Sequence, residues 1–282
     1  MSIKTTRREF FKAACAGITI GALSGVSCAK PEPVTVKEGY KRLNLGMASY
    51  TFRKFSLEDT LVMTNRLGLK HIAFKNFHLE LNSTEDVIKA VAEKTRNAGL
   101  DLYGCGVVYM KTEDEVHQAF NYAKTAGMRV IIGVPNHELL PLVNTKVQEY
   151  DIKVAVHNHG PGDELFPSPQ SVYEKIKDLD KRIGLCIDIG HTQRLGIDPS
   201  VELEKYADRI YDIHIKDVSA ASNEGSAIEG GRGVIDLPKI LRTLLKINYT
   251  GVAALEYEKD ESDPLPGSAE TIGCFRGILS VI

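Results

Sequence analysis

Four short apolar runs in the second half of the chain each deliver a residue able to ligate a divalent metal or move a proton. Residues 153–156 lead into His157-Asn158-His159, and residues 183–187 into Asp188-Ile189-Gly190-His191. Residues 210–215 contain His214 and lead into Lys216-Asp217, and residues 251–255 lead into Glu256-Tyr257-Glu258. A single His or Asp at a strand end is ordinarily a cap or a hydrogen-bond partner. His, Asp, His and Glu from four consecutive strands form a ligand set, so His157, Asp188, His214 and Glu256 are expected to hold one divalent metal ion. Two imidazoles and two carboxylates suit Mn²⁺, Co²⁺, Fe²⁺ or Zn²⁺ better than Mg²⁺ or Ca²⁺, which prefer oxygen shells. An ion held this way polarises a carbonyl or hydroxyl oxygen and stabilises an enolate, so removal of a proton α to a carbonyl is the expected chemistry. Glu256, His159, His191 and Lys216 are the candidate catalytic groups. If the strand persists past His157, His159 shares its inward face. Lys75 and His78, which follow the second apolar run, and Arg232, in a glycine-bearing loop, are candidate substrate contacts. The charge-rich residues 257–261 read as surface.

These residues can meet only if the runs are parallel strands whose C-terminal ends share one rim. Eight such runs occur, at residues 43–48, 71–74, 100–107, 129–134, 153–156, 183–187, 210–215 and 251–255. They are rich in Val, Ile and Leu without strict alternation, as strands buried on both faces should be. Helical periodicity fills most of the gaps. Residues 84–98 are the clearest case, with Ser83 as the expected N-cap, a stripe of Val87, Ile88, Val91 and Ala92, and Gly99 as the stop. Residues 112–126, 237–247 and 269–279 behave alike, and Pro264, Pro266 and Gly267 read as the loop into the last helix. Leu67-Gly68-Leu69, Ala98-Gly99-Leu100 and Ala126-Gly127-Met128 recur at the spacing of one βα unit. No G-x-G-x-x-G follows the first run, and the strict alternation predicts a single (β/α)₈ TIM barrel, an α/β fold, over residues 42–282.

The N-terminus reads separately. Thr6-Arg7-Arg8-Glu9-Phe10-Phe11-Lys12 and the apolar run after it form a twin-arginine signal peptide over residues 1–28, too short for a stable membrane span. Gly25-Val26-Ser27 before Cys28 resembles a lipoprotein processing site, so a lipid anchor at Cys28 is one possible outcome of cleavage; a periplasmic or membrane-anchored product is expected either way. Residues 29–41, with Pro31 and Pro33, read as an extended lead-in. A formal charge of −2 argues against a nucleic-acid surface. Cys105, Cys186 and Cys274 show no C-x-x-C spacing and read as buried apolar residues.

The D-x-G-H of Asp188–His191, the H-x-K-D of His214–Asp217 and Glu256 resemble the sugar phosphate isomerase/epimerase superfamily, the xylose-isomerase-like barrels. The loop Gly230-Gly231-Arg232-Gly233-Val234-Ile235-Asp236 resembles the segment before that family's seventh helix. The resemblance implies a metal held from strands five to eight, here at His157, Asp188, His214 and Glu256, and a small carbohydrate as substrate. One position departs. The family's isomerases and epimerases usually place Glu where this chain has His157, so one of two opposed carboxylates is missing and a two-sided proton shuttle loses a partner. Related barrels enolise 3-keto-glycosides, expel the group at C1 by β-elimination, or hydrate the resulting enone. The favoured expectation is therefore a 3-keto-glycoside lyase or hydratase, with a keto-sugar isomerase or epimerase as the alternative and a non-catalytic sugar-binding barrel as a further one. A phosphodiesterase of the related endonuclease group would need more His and Glu on strands two to four and a basic groove, which the sequence lacks.

Overall fold

The computed structural model describes residues 43–282. The expected signal peptide, Cys28 and the expected lead-in lie outside the described residues. Eight parallel strands close into a barrel in the order β1-β8-β7-β6-β5-β4-β3-β2. They are β1 (Asn44–Ala48), β2 (His71–Phe74), β3 (Asp101–Met110), β4 (Val130–Pro135), β5 (Lys153–His157), β6 (Ile183–Asp188), β7 (Ile210–Ile215) and β8 (Val252–Leu255). Closure comes from β1 on β8, with Asn44 opposite Val252 and Met47 opposite Leu255. Every residue of β4 and β6 is buried, because helices cover one face and barrel side chains fill the other.

The expected runs and observed strands agree to within a residue or two, except that β3 continues to Met110. A register shift against β4 between Cys105 and Val108 accommodates that extension, which carries Tyr109 past the rim. Two local expectations are corrected. Helix α1 (Glu85–Asn97) is entered through Thr84, not Ser83. The Ser83 N–H is taken by Glu80 O in the preceding turn, which moves the cap one residue on. Helix α2 (Pro264–Leu279) starts at Pro264, so Pro264, Pro266 and Gly267 lie inside it. Proline suits a first helical turn, whose N–H groups have no partner within the helix. Gly267 is required there, since a Cβ would sit 2.2 Å from the Tyr257 hydroxyl.

Of the charge-rich residues 257–261 expected at the surface, Lys259, Asp260 and Glu261 are exposed, whereas Tyr257 is buried and Glu258 half-buried. The Tyr257 N–H donates to Thr51 Oγ1 at 2.9 Å, and the Tyr257 hydroxyl donates to Glu229 at 2.8 Å. Lys259 Nζ reaches both Glu229 oxygens, at 2.8 and 2.9 Å. With Tyr257 and Lys259 both turned to Glu229, Glu258 between them faces the barrel mouth. After β7, a ribbon pairs Asp217–Val218 with Ala227–Ile228. Asp217 Oδ2 accepts the N–H groups of Gly231 and Gly233, and Oδ1 those of Val218 and Ile235. The Asp of the H-x-K-D motif thus braces the glycine-bearing loop.

The Lys259 ammonium holds the Glu229 carboxyl down at about 2. A depressed folded-state pKa contributes stability above the unfolded value and loses it as pH falls. Because Lys259 is half exposed, the contribution is discounted to about 1 kcal/mol. The stability difference between the wild type and Glu229→Gln, followed by urea unfolding, should be fully present at pH 6 and shrink between about pH 4.5 and about pH 2. A gap constant across that window would remove the ion pair as its cause.

Candidate active site

The pairing register brings the sequence-expected ligands together. His157 is opposite Cys186 across β5 and β6, Asp188 opposite His214 across β6 and β7, and His214 opposite Ala254 across β7 and β8. Glu256, one residue past β8, is held there by its N–H to Ile215 O. The ligand atoms of His157, Asp188, His214 and Glu256 all lie within 4.8 Å of one another, and all four side chains are buried.

Asp188 divides its two oxygens between fold and chemistry. It is the N-cap of the short helix Ile189–Arg194, where Oδ1 accepts the His191 N–H at 2.7 Å. Oδ2 is buried and accepts no hydrogen bond. Asn158 fastens the same turn by accepting the Asp188 N–H at 3.1 Å and donating to Thr192 Oγ1 at 3.2 Å. The Gly190 of the motif serves packing. A Cβ there would stand 2.8–3.0 Å from the Lys216 methylenes, so glycine lets the lysine stem pass.

Lys216 Nζ sits 3.1 Å from Asp188 Oδ2, 2.9 Å from Glu256 Oε2 and 3.0 Å from Glu258 Oε2. Burial by itself would lower its pKa, but the three carboxylates outweigh that and hold it well above the ordinary value. Lys216 is therefore an ammonium, a source of positive charge and protons rather than a base. Burial lowers His157, His159 and His191, the last to about 4, so these imidazoles are neutral at pH 7. His214 goes the other way. Burial opposes its charge, but Glu256 Oε2 at 3.2 Å raises it to about 9. Behind His214, Asp212 Oδ1 lies 3.7 Å from Nε2, too far for a hydrogen bond.

This donor set fits a divalent cation. Asp188 Oδ2 is buried without a hydrogen bond of its own, facing the Lys216 ammonium at 3.1 Å, and His157 Nε2 faces His214 Nδ1 at 3.1 Å. Cys186 also lies near the two histidines, but burial pushes its thiol well up, and it points to Asp212 at 3.6 Å. The His/Asp/His/Glu set is thus the better ligand set. A cation held there would compete with Lys216 for the Asp188 and Glu256 carboxylates.

The cavity above these residues, about 270 Å³, is lined by Tyr50, Lys75, Val107, Tyr109, His159, His191 and Glu258 together with His157 and Glu256. His159 reaches it as expected, its ring against His157 and its Nε2 3.0 Å from the Tyr109 hydroxyl. Lys75 lines it too. His78 and Arg232 do not. His78 is buried, with its ring nitrogens on Ser49 and Thr60 at 2.9 Å, where it fastens the turn after β1. The Arg232 side chain is 58% exposed and paired with Glu270 at 2.6 Å. Tyr50, Tyr109 and Glu258 were not singled out by the sequence. Only Glu258 had a signal, its two-residue spacing from Glu256.

The fold is a closed parallel barrel that carries a His/Asp/His/Glu cluster, a candidate metal site, at its C-terminal rim. The sequence pattern of the xylose isomerase-like TIM barrels matches residues 51–278, and the chain belongs to that family. Among curated relatives, the rhizopine catabolism protein MocC of Rhizobium meliloti is 29% identical over 136 residues, covering 43% of this chain and 41% of that protein. Inosose dehydratase of Clostridium beijerinckii is 29% identical over 131 residues, 40% of this chain and 43% of that one. The chain thus aligns with less than half the length of these relatives. Among solved structures, 3-keto-D-glucoside 4-epimerase from E. coli superposes with a TM-score of 0.68 at 14% identity, covering 83% of this chain and 99% of that one. At that identity the likeness shows the fold.

Titration calorimetry with Mn²⁺ on metal-stripped protein should separate the roles. Asp188→Asn and Glu256→Gln should each weaken binding by at least about a hundredfold. Lys216→Met should strengthen it, because the carboxylates lose a competing cation. Three variants that all bind like the wild type would place the ion elsewhere.

Proposed function

We propose that the protein is a divalent-metal-dependent carbohydrate enzyme that removes a proton α to a sugar carbonyl and expels the neighbouring substituent, acting as a 3-keto-glycoside lyase or hydratase. The observation that carries this reading is the pocket's charge arrangement. Neutral imidazoles of His159 and His191 line it with His157, Glu256 and Glu258, and the Lys216 ammonium, Asp188 and His214 lie buried behind these residues. When bound, the metal would supply Lewis acidity to the substrate's carbonyl. His159, oriented by Tyr109, is the group of this chain best placed to take the proton, being neutral and facing the cavity. Lys216, buried behind the cavity against Glu256 and Glu258, adds positive charge to the field at the substrate oxygen. In the elimination, the C2–H bond breaks toward the base and the C1–O bond breaks with it. The enone and the protonated leaving group are the products.

His157 in place of a second glutamate favours elimination, since one-sided proton removal suffices for it. The relative named inosose dehydratase performs, by its name, an elimination of water. The isomerase or epimerase reading is the second one, and the epimerase among the structural neighbours supports it. The reading includes export by the twin-arginine route, on Arg7 and Arg8. Among the described residues no helix is long and apolar enough to cross a membrane.

Incubating metal-loaded enzyme with 3-keto-glucosides and with free ketoses in D₂O separates the branches. Release of the aglycone with enone absorbance is the expected outcome. Deuterium incorporation with sugar interconversion and no release would replace it with isomerisation. Binding without any turnover would leave a sugar-binding barrel.

A further inference from the structure

Lys75 follows the C-terminal end of β2 and is half-buried. Its N–H donates to Ser49 Oγ at 2.8 Å, which pins the backbone at the rim. Among the described residues it is the one lysine or arginine that lines the sugar pocket. Lys216 carries the other ammonium of the site but lies behind Glu256 and Glu258. Lys75 also lines a second compartment of about 200 Å³ on the β2–β3 side of the rim, and Val107 and Tyr109 belong to both spaces. The wall of that compartment is mixed, with Asn76 beside Phe74, Leu79 and Leu81, so it sets no demand on the polarity of what enters. A substituent reaching from the sugar into it would carry its bond to the sugar past Lys75 and Tyr109. The Tyr109 hydroxyl is engaged with His159 at 3.0 Å. Lys75 Nζ gives one N–H to Val107 O. An ammonium has three, so two remain for a ligand.

An alkoxide is too basic to leave C1 without a proton. The imidazoles of the pocket are neutral, and Tyr50 lines the sugar pocket but not the second compartment. We propose that Lys75 is the general acid of the elimination, giving its proton to the oxygen expelled from C1. This rests on the proposed function and adds the proton donor to it. In the step, the electron pair of the C2–H bond becomes the second bond between C1 and C2. The C1–O pair goes to oxygen, which takes the proton from Lys75 Nζ. His159 ends as an imidazolium and Lys75 as a neutral amine, so the net charge is unchanged, and exchange with water in the pocket restores both. His159 follows β5, three strands around the rim from β2, so base and acid reach the sugar from different walls. Burial lowers the Lys75 pKa against the opposing pull of Glu256. An ammonium made more acidic in this way gives up its proton more readily.

The test compares two 3-keto-glucosides that differ in the acidity of the alcohol expelled, on metal-loaded enzyme. 4-Nitrophenolate leaves without a proton, whereas methanol needs one. Lys75→Met should slow methanol release by about a hundredfold or more, and that loss should exceed the loss for 4-nitrophenol by at least about thirtyfold. In D₂O the unreacted methyl compound should gain deuterium at C2, because His159 still forms the enolate. Lys75→Arg keeps the charge but holds its proton more tightly, so it should shift the ratio the same way, even if the methionine variant does not fold. Equal losses for the two leaving groups in both variants, or no loss with the methyl compound, would overturn the role of Lys75 and leave the elimination standing. No aglycone from the wild type with either compound would overturn the elimination itself, and the role of Lys75 with it.

Discussion

Closure of the sheet between β1 and β8 is the constraint on which the site depends. All eight strands run parallel, so closure puts every C-terminal end on one rim and every βα connection above it. The adjacency of β5, β6, β7 and β8 then converts separation in sequence into contact. His157 and Glu256 come from positions 99 residues apart (256 − 157), yet both contribute ligand atoms to one cluster. A parallel sheet makes this economical, because each strand contributes one side chain and no loop has to be ordered for the purpose.

Burying that cluster creates a charge problem that the fold solves locally. Asp188, Glu256 and Glu258 would repel one another in a site screened from water, and Lys216 balances them at 2.9–3.1 Å. The solution brings further requirements. The lysine stem needs the space that Gly190 leaves, and Glu258 can face the ammonium because Tyr257 and Lys259 are both drawn to Glu229. A metal held by this cluster would compete with that ammonium for the same carboxylates.

Residues of similar character fall on both sides of the line between scaffold and chemistry. Asp217 and Asp188 both belong to short motifs at strand ends. Asp217 spends both oxygens on backbone N–H groups of its loop, whereas Asp188 gives one oxygen to the backbone and turns the other to the cluster and the Lys216 ammonium. His78 and His159 were both candidates for the rim. His78 has its two nitrogens taken by the hydroxyls of Ser49 and Thr60, and His159 faces the cavity. Hydrogen-bond commitment separates the pairs, and residue type does not.

The strand–helix rhythm was legible because burial on both faces leaves continuous Val, Ile and Leu runs, and His157, Asp188, His214 and Glu256 could be read from the ends of those runs. Local chemistry determines these features, and family membership follows the same motifs. The surroundings of the cluster were not legible. Arg232 is drawn off to Glu270, a partner 38 residues away, and Glu258 is turned inward by anchors on a different loop. Tyr109 enters because β3 runs three residues past its expected end. Each outcome depends on which long-range partner satisfies a side chain, and a one-dimensional pattern carries no distances. The sequence by itself therefore determined the barrel and the four ligands. The tertiary structure decided which neighbours complete the site, since competition for hydrogen bonds and charge is settled only in the packed chain.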